Sequence, residues 1–316
     1  MVMLMSWLWF QVAFVCVFFV VVALRWACEP LVQAAERERS GETATERSTL
    51  IEGEATQLSI VIPAYNERAR LPVMLEAVEA YLRTSGRSAE VLVVDDGSVD
   101  GTASVARDVG ESLFGKTRMR VASLAQNRGK GGAVREGARR ARGQWVLVAD
   151  ADNATKFDDI ERLEKRAKNA KGPVVAVGSR AHLESSDAVA TRSPLRNFLM
   201  RAFHIFVSVV GGVEHVRDTQ CGFKLLNRAA LPLLAGLRLE RWAFDVELLY
   251  LAQKLKVTLV EVPVTWSEVP GSKLNLLRDS LQMARDIACF RLAYALRLWP
   301  LPPLPSSTTS EEESSS

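Results

Sequence analysis

Net charge and paired cysteines are both scarce in this chain. Its 316 residues include four cysteines, Cys16, Cys28, Cys221 and Cys289, none of them spaced as C-x-x-C. That excludes the common zinc and thiol-redox patterns and fits a reducing compartment. A formal net charge of +3 is too small for a nucleic-acid-binding surface. No internal repeat is apparent. The P-loop pattern G-x-x-x-x-G-K-[ST] is absent. The run Gly129-Lys130-Gly131-Gly132-Ala133-Val134 has Val134 where a dinucleotide-binding G-x-G-x-x-G carries its third glycine, and it does not follow the first strand. These absences weaken a dehydrogenase reading.

Charge is missing altogether from Val2 to Leu24, where Ser6 and Gln11 are the only clearly polar residues. A run of about 20 apolar residues spans a bilayer as a helix. The alternative, a cleaved signal peptide, is disfavoured because the run exceeds the usual apolar region and no basic segment precedes it. Arg25, Arg37 and Arg39 follow, and the positive-inside rule then puts the rest of the chain in the cytosol. The expected organisation is a transmembrane anchor over 1–28, a Glu/Arg-rich linker over 29–56, an α/β domain over 57–299, and a tail over 300–316. The tail is Pro-rich, then acidic and Ser-rich, and is expected to be disordered.

What is present inside 57–299 is an alternation of strands and helices. Apolar runs at 58–65, 90–98, 118–126 and 144–152 read as strands; 70–86, the segment after Asp100, and 131–141 read as helices. Continuous apolar strands between helices argue for a parallel sheet covered on both faces. Such sheets bind ligands beyond the carboxyl ends of their strands.

Polar residues stand at those ends. Strand one ends in Pro63-Ala64-Tyr65-Asn66-Glu67, strand two in Asp95-Asp96-Gly97-Ser98, and strand four in Asp150-Ala151-Asp152. Strand three leads into Asn127-Arg128-Gly129-Lys130-Gly131-Gly132. In extended backbone Asp150 and Asp152 point to one side, where two carboxylates repel unless a cation holds them. Mg2+ or Mn2+ suits such a pair, completed by water and substrate phosphates; a turn or helix cap is the plainer reading of the same residues. Asp95, Asp96, Gly97 and Ser98 could accept from a nucleoside's ribose and base, Tyr65 could stack on the base, and Glu67 could bind either. The glycines and Lys130 bring positive charge to a helix N-terminus, a suitable place for phosphate.

The second half is less regular. Residues 192–216 are apolar with Arg192, Arg196, Arg201 and His204 set into them. They read either as amphipathic helices at a membrane interface or as a core helix with snorkelling arginines. Asp218, Asp245 and Glu247 line the site or cap helices; spacing does not separate these.

"IVIPAYNE", "VLVVDDGSVDGT", "NRGKGGAVREG" and "VLVADADNAT" together resemble the family-two glycosyltransferases. "DTQCGFK", "ERWAFDVELLY" and "GSKLNLLRDSLQMARDI" extend the resemblance, toward the branch that glucosylates dolichyl phosphate, over nearly the whole of 58–299. It implies the GT-A nucleotide-sugar-binding fold, an α/β fold with a mostly parallel central sheet, to which the N-terminal transmembrane helix and the amphipathic interface helices read above would be added. It also implies transfer of glucose from UDP-glucose to dolichyl phosphate, with inversion. Pro63, Ala64, Tyr65, Glu67 and Asp96 would contact uridine, with Asp95, Gly97, Ser98, Asn127, Lys130 and Gly131 completing the nucleotide-sugar site. Asp150 and Asp152 would hold the divalent cation. Arg180, Arg192, Arg196, Ser272 and Lys273 would meet the acceptor phosphate or the diphosphate. The mannosyl counterpart using GDP-mannose shares the first half of the pattern; a non-catalytic membrane scaffold and a sugar nucleotidyltransferase are the other readings.

One N-x-[ST] site exists, Asn153-Ala154-Thr155, abutting the aspartate pair. A glycan there would obstruct the crevice. The expectation is therefore an endoplasmic reticulum membrane protein, anchored once, with its α/β domain facing the cytosol.

Overall fold

The computed structural model describes residues 26–31, 56–185, 206–269 and 276–305. Seven strands form one sheet: β1 Leu58–Ala64, β2 Ala89–Asp95, β3 Met119–Ser123, β4 Trp145–Val148, β5 Val174–Ser179, β6 Lys224–Asn227 and β7 Thr258–Pro263, in the order β3-β2-β1-β4-β6-β5-β7. Every neighbouring pair is parallel except those of β6, which runs antiparallel to β4 and β5. The carboxyl ends of six strands and the amino end of β6 therefore share one edge.

The strands are buried on both sides because alternate residues feed two cores. From β1, Leu58, Ile60 and Ile62 enter one core, built with helices α1 Leu71–Ser85, α2 Thr102–Arg118 and α4 Ile160–Ala167. Val61 enters the other, built with α3 Lys130–Arg140, α5 Leu231–Ala235, α6 Phe244–Lys254 and α7 Leu276–Ala295. Helix α1 shows why these segments are helical. Pro72 sits in its first turn, Leu71, Met74, Leu75, Val78, Tyr81 and Leu82 form one buried stripe, and Gly86 at φ 63° ends it. Just ahead of α2, whose N-cap is Gly101, Asp100 accepts from the Thr102 N–H at 2.9 Å.

Several boundaries differ from the sequence-based expectation. The run at 144–152 is a strand only to Val148. Ala149 makes one more bond, its N–H to the Val61 carbonyl at 3.0 Å, and Asp150 and Asp152 stand in the following turn, which closes at Asn153 with φ 56°. The second strand ends at Asp95 and the third at Ser123, because their polar ends leave the ladder to form loops. The antiparallel β6 was not foreseen. The expected tail also begins inside the domain: Pro302 is buried and Leu304 packs on the core, so order extends past 300.

Residues 1–25, 32–55 and 306–316 lie outside the described residues. Among the described residues no helix is long and apolar enough to cross a membrane. The described helical segment 26–31 crosses the expected anchor–linker boundary and is fastened to α7. Arg285 pairs with Glu29 at 2.7 Å, and the Cys289 thiol donates to the Ala27 carbonyl at 2.8 Å. Of the expected interface segment 192–216, only 206–216 is described, with a helical piece ending at Val209.

Helix α3 reaches the sheet through Gly137, where an added Cβ would lie 2.3 Å from Val61 Cγ1. A Gly→Ala exchange in a helix gains up to about 1 kcal/mol of propensity, while overpacking costs roughly 1–3 kcal/mol. Overpacking wins at this contact distance. Gly137→Ala is expected to lower the melting temperature by several degrees in a thermal-unfolding scan, and an unchanged or raised value would show that the helix can lift from the sheet freely.

Candidate active site

The loops that follow β1, β2 and β3 hold one another in place. The Asn66 N–H donates to Ser98 Oγ at 2.8 Å, the Val99 N–H to Asn66 Oδ1 at 3.0 Å, and the Glu67 N–H to Thr102 Oγ1 at 2.8 Å. Gly97, at φ 69°, lets the third loop approach; an added Cβ would stand 2.8 Å from the Asn127 nitrogen. Pro63 and Ala64 finish β1 as buried residues, and Tyr65 is exposed at the rim.

Asp95 and Asp96 are buried. The Asp96 carboxylate accepts from the main-chain N–H groups of Arg128 and Gly129, both at 2.7 Å. It thus shapes the glycine loop from inside. Burial pushes Asp96 up to about 6, against those two hydrogen bonds. Asn127 is exposed and donates to the Asp96 carbonyl at 3.3 Å.

The glycine loop leans on residues 237–241. Gly129, at φ 88°, would place a Cβ 2.6 Å from the Glu240 carbonyl, and Gly131 would place one 2.6 Å from the Leu239 carbonyl. The Glu240 carboxylate takes Arg128 at 2.6 Å and Arg135 at 2.7 Å. This close fit sets Lys130, the first residue of α3, beside the aspartate pair, with Nζ 2.5 Å from Asp150 Oδ1.

Asp150 and Asp152 are both reachable from solvent, their side chains 37% and 29% exposed. Burial works to raise Asp150, but Lys130, Lys224 and Arg180 hold it below the usual carboxylate range. Asp152 is raised, by burial and by the charge of Asp150, against a hydrogen bond from the Ala154 N–H at 3.0 Å. Arg70 Nη1 stands 4.0 Å from Asp152 Oδ2 and is clamped by both Glu67 oxygens at 2.6 and 2.5 Å.

Beneath the pair, Gly222 makes room for Asp150: a Cβ there would lie 2.0 Å from Asp150 Oδ2. Lys224 is fully buried and donates to the Cys221 carbonyl and to Asp245 Oδ1, each at 2.5 Å. Arg180 is gripped by Asp218, with Nε at 2.7 Å and Nη2 at 2.9 Å, and its guanidinium lies 5.6 Å over the Trp266 ring. Trp266 is brought there because residues after the aspartate pair align with its segment. The Lys156 N–H donates to the Thr265 carbonyl at 3.0 Å and the Ser267 N–H to the Ala154 carbonyl at 2.9 Å.

One edge therefore gathers Tyr65, Glu67, Asp95, Asp96, Gly97, Ser98, Asn127, Lys130, Gly131, Asp150, Asp152 and Arg180. Arg192, Arg196, Ser272 and Lys273 lie outside the described residues. Asp218 and Asp245 are held by Arg180 and Lys224. Sequence reasoning missed Arg70, Gly222, Lys224 and Trp266. Gly222 and Lys224 lie inside the quoted "DTQCGFK", and Arg70 follows Glu67 by three residues; Trp266 carried no signal.

Among the described residues no group of three or more His, Cys, Asp or Glu could hold a metal ion. That donor set does not fit a structural zinc. Two solvent-reachable carboxylates do fit a hard ion such as Mg2+ or Mn2+, which keeps waters and takes substrate phosphate oxygens. A groove of about 720 Å³ lined by Tyr81, Arg87, Trp145 and Glu164 is open elsewhere, at the amino ends of the strands, and has none of these groups. Side-chain chemistry, not cavity size, locates the site.

A family model for glycosyl transferase family 2 matches residues 59–231. A dolichyl-phosphate beta-glucosyltransferase of Mus musculus is 48% identical over 255 residues, 78% of each chain. That of Dictyostelium discoideum is 47% identical over 252 residues, 77% of this chain and 76% of the other. The solved structure of glucosyl-3-phosphoglycerate synthase from Mycobacterium tuberculosis, in complex with Mn2+, uridine diphosphate and phosphoglyceric acid, matches with a TM-score of 0.52. It is 18% identical and the match covers 78% of this chain and 80% of that one; at this identity the likeness speaks for the fold alone.

Asp96 yields a pH prediction. Its folded value near 6 stands above the ordinary 3.8, so between those limits the folded state binds more protons than the unfolded one. Its ionisation then lowers stability as pH rises from about 4 to about 6, and contributes no further slope above that. Asp96→Asn is expected to remove this part of the slope in melting temperature against pH; parallel wild-type and variant curves would refute the assignment.

Proposed function

The chain belongs to glycosyl transferase family 2, among the dolichyl-phosphate beta-glucosyltransferases, and we propose that it moves glucose from UDP-glucose to dolichyl phosphate with inversion. The products are dolichyl phosphate β-glucose, a glucose donor for assembly of the N-glycosylation precursor, and UDP. The observation that carries the donor half of this reading is the Asp150–Asp152 pair, flanked by Lys130 and Arg70 where the parallel strands end.

In this reading Asp150 and Asp152 would hold Mg2+ or Mn2+, which when bound would supply neutralisation of the charge on the diphosphate. Tyr65, Glu67 and the loop shaped by Asp96 receive the uridine. Arg180, fixed by Asp218 on one side and Trp266 on the other, presents a rigid planar cation for a phosphate. Arg192, Arg196, Ser272 and Lys273 complete the acceptor's phosphate site. One oxygen of the acceptor phosphate attacks the anomeric carbon from the face opposite the leaving group. One C–O bond forms, the C–O bond to the diphosphate breaks, and the configuration inverts. A phosphate monoester is already ionised near neutral pH, so the acceptor needs positioning more than deprotonation. The engagement of Asp218 and Asp245 with their own cations agrees with that.

The same reading puts the chain on the endoplasmic reticulum membrane, anchored by the segment 1–28, with its α/β domain in the cytosol. Support comes from the surface around the described end of that run. Trp26 is 50% exposed, and Leu281 and Leu292 on α7, with Leu296 just after it, are 54–60% exposed, an apolar face suited to a bilayer surface.

The deciding assay is transfer of radiolabelled sugar to dolichyl phosphate by purified protein, with UDP-glucose and GDP-mannose side by side. Glucose transfer abolished by EDTA is expected, and Asp152→Asn is expected to reduce turnover by at least about 100-fold while the fold is kept. Transfer that survives chelation, or a preference for GDP-mannose, would sink the reading. The cytosolic placement has its own test. Asn153 in the native protein is expected to carry no glycan, so that treatment with an N-glycosidase leaves its mobility unchanged; a shift abolished by Asn153→Gln would place the site in the lumen.

A further inference from the structure

Lys130 occupies an unfavourable position. It opens α3, whose first turn contains no acidic side chain. The unpaired N–H groups of a helix start form the positive end of its dipole, which repels an ammonium and attracts a phosphate. The ammonium is nevertheless there, only 14% exposed, and turned onto Asp150 at 2.5 Å.

Arg70, the cation beside Asp152, is held differently. Glu67 clamps its guanidinium with two bonds, and it stands 4.0 Å from Asp152. Asp150 for its part cannot retreat, since the Gly222 backbone lies directly against its carboxylate. A rigid carboxylate therefore faces an ammonium on a flexible four-carbon stem. If this pair opens, the lysine is the partner that moves.

We propose that Lys130 is an exchangeable counter-ion: a divalent cation displaces it from Asp150, and the released ammonium turns to the diphosphate of the donor at the start of α3. The inference rests on the reading of a nucleotide-diphosphate sugar donor and a carboxylate-bound ion. Charge balance supports it. With Glu67 counted beside Asp150 and Asp152, Lys130 and Arg70 leave the cluster one charge negative. A divalent cation adds two positive charges and the donor's diphosphate two negative ones, so only the two together leave that balance unchanged, provided Lys130 stays nearby with a new partner. Metal and nucleotide should therefore bind as a coupled pair, each weakly without the other.

The test uses the full chain in lipid nanodiscs, with Mn2+ binding followed by electron paramagnetic resonance, with and without UDP. For the wild type, UDP is expected to tighten Mn2+ binding by about tenfold or more. Lys130→Met is expected to act in opposite directions: Mn2+ alone binds about tenfold tighter, and UDP at saturating Mn2+ binds about tenfold weaker. Arg70→Met removes a charge that is not displaced, so its effect on Mn2+ alone is expected to be smaller. A structure of the Mn2+–UDP complex separates exchange from a long-range field effect. It should show Lys130 Nζ at hydrogen-bonding distance from the diphosphate, about 3 Å, and away from Asp150. Lys130 still paired with Asp150 in that complex overturns the proposal. So do affinities that change in the same direction or by less than about twofold in Lys130→Met. The wild-type complex decides the matter even where the variant fails to fold. A wild-type protein that binds neither Mn2+ nor UDP overturns the donor reading, and the exchange with it.

Discussion

Two carboxylates one residue apart, at the end of a buried strand, repel each other, and the surrounding structure answers that repulsion. Lys130 faces Asp150 and Arg70 faces Asp152. Behind them the charges are paired again: Arg70 by Glu67, Arg180 by Asp218, Lys224 by Asp245. Breaking a buried pair by removing one partner strands a charge and is strongly destabilising. The outer carboxylates are therefore as necessary to the site as the inner ones, although they lie farther from any substrate. The result is a nearly neutral edge on which each cation has a carboxylate partner.

The fold contributes closeness. Four loops must converge on one edge, and they do so at Gly97, Gly129, Gly131 and Gly222, where a Cβ would stand between 2.0 and 2.8 Å from its neighbour. The antiparallel β6 adds something a purely parallel sheet lacks. Because it runs against β4 and β5, its first residue, Lys224, reaches the edge where its neighbours end. A cation thus enters below Asp150 from a strand, held by burial and by Asp245 rather than by a loop.

Much of this was legible in the sequence. The alternation of apolar strands and helices gave the covered sheet, and the polar residues after each run marked the edge on which the site is built. Asp150, Asp152, Lys130 and Arg180 do converge there. What could not be read is long-range pairing. Arg180 and Asp218 are 38 positions apart, and Lys224 and Asp245 are 21 apart; no periodicity connects them. Asp96 shows a different limit. It was read as a ligand for the nucleoside, yet its carboxylate is also occupied by two main-chain N–H groups of a neighbouring loop. Residue type suggested an acceptor but did not reveal which donors were nearest. Strand ends were overestimated because the runs were read on into the polar residues that leave the ladder to form loops, Asp96 to Ser98 after β2 and Asp150 to Asp152 after β4.

The pairing pattern also bears on how the proposed reaction proceeds. An enzyme that activates a sugar hydroxyl needs a carboxylate or imidazole free to take a proton. Here the acidic residues nearest the aspartate pair are committed to cations. Asp218 receives two guanidinium nitrogens and the Arg180 N–H, and Asp245 receives a buried ammonium. Converting either into a base would break a pair in the interior, at a cost comparable to what general-base catalysis contributes. An acceptor that arrives ionised avoids that conflict. It asks of the protein only cations in a fixed geometry, and a guanidinium wedged between a carboxylate and an indole face is such a cation.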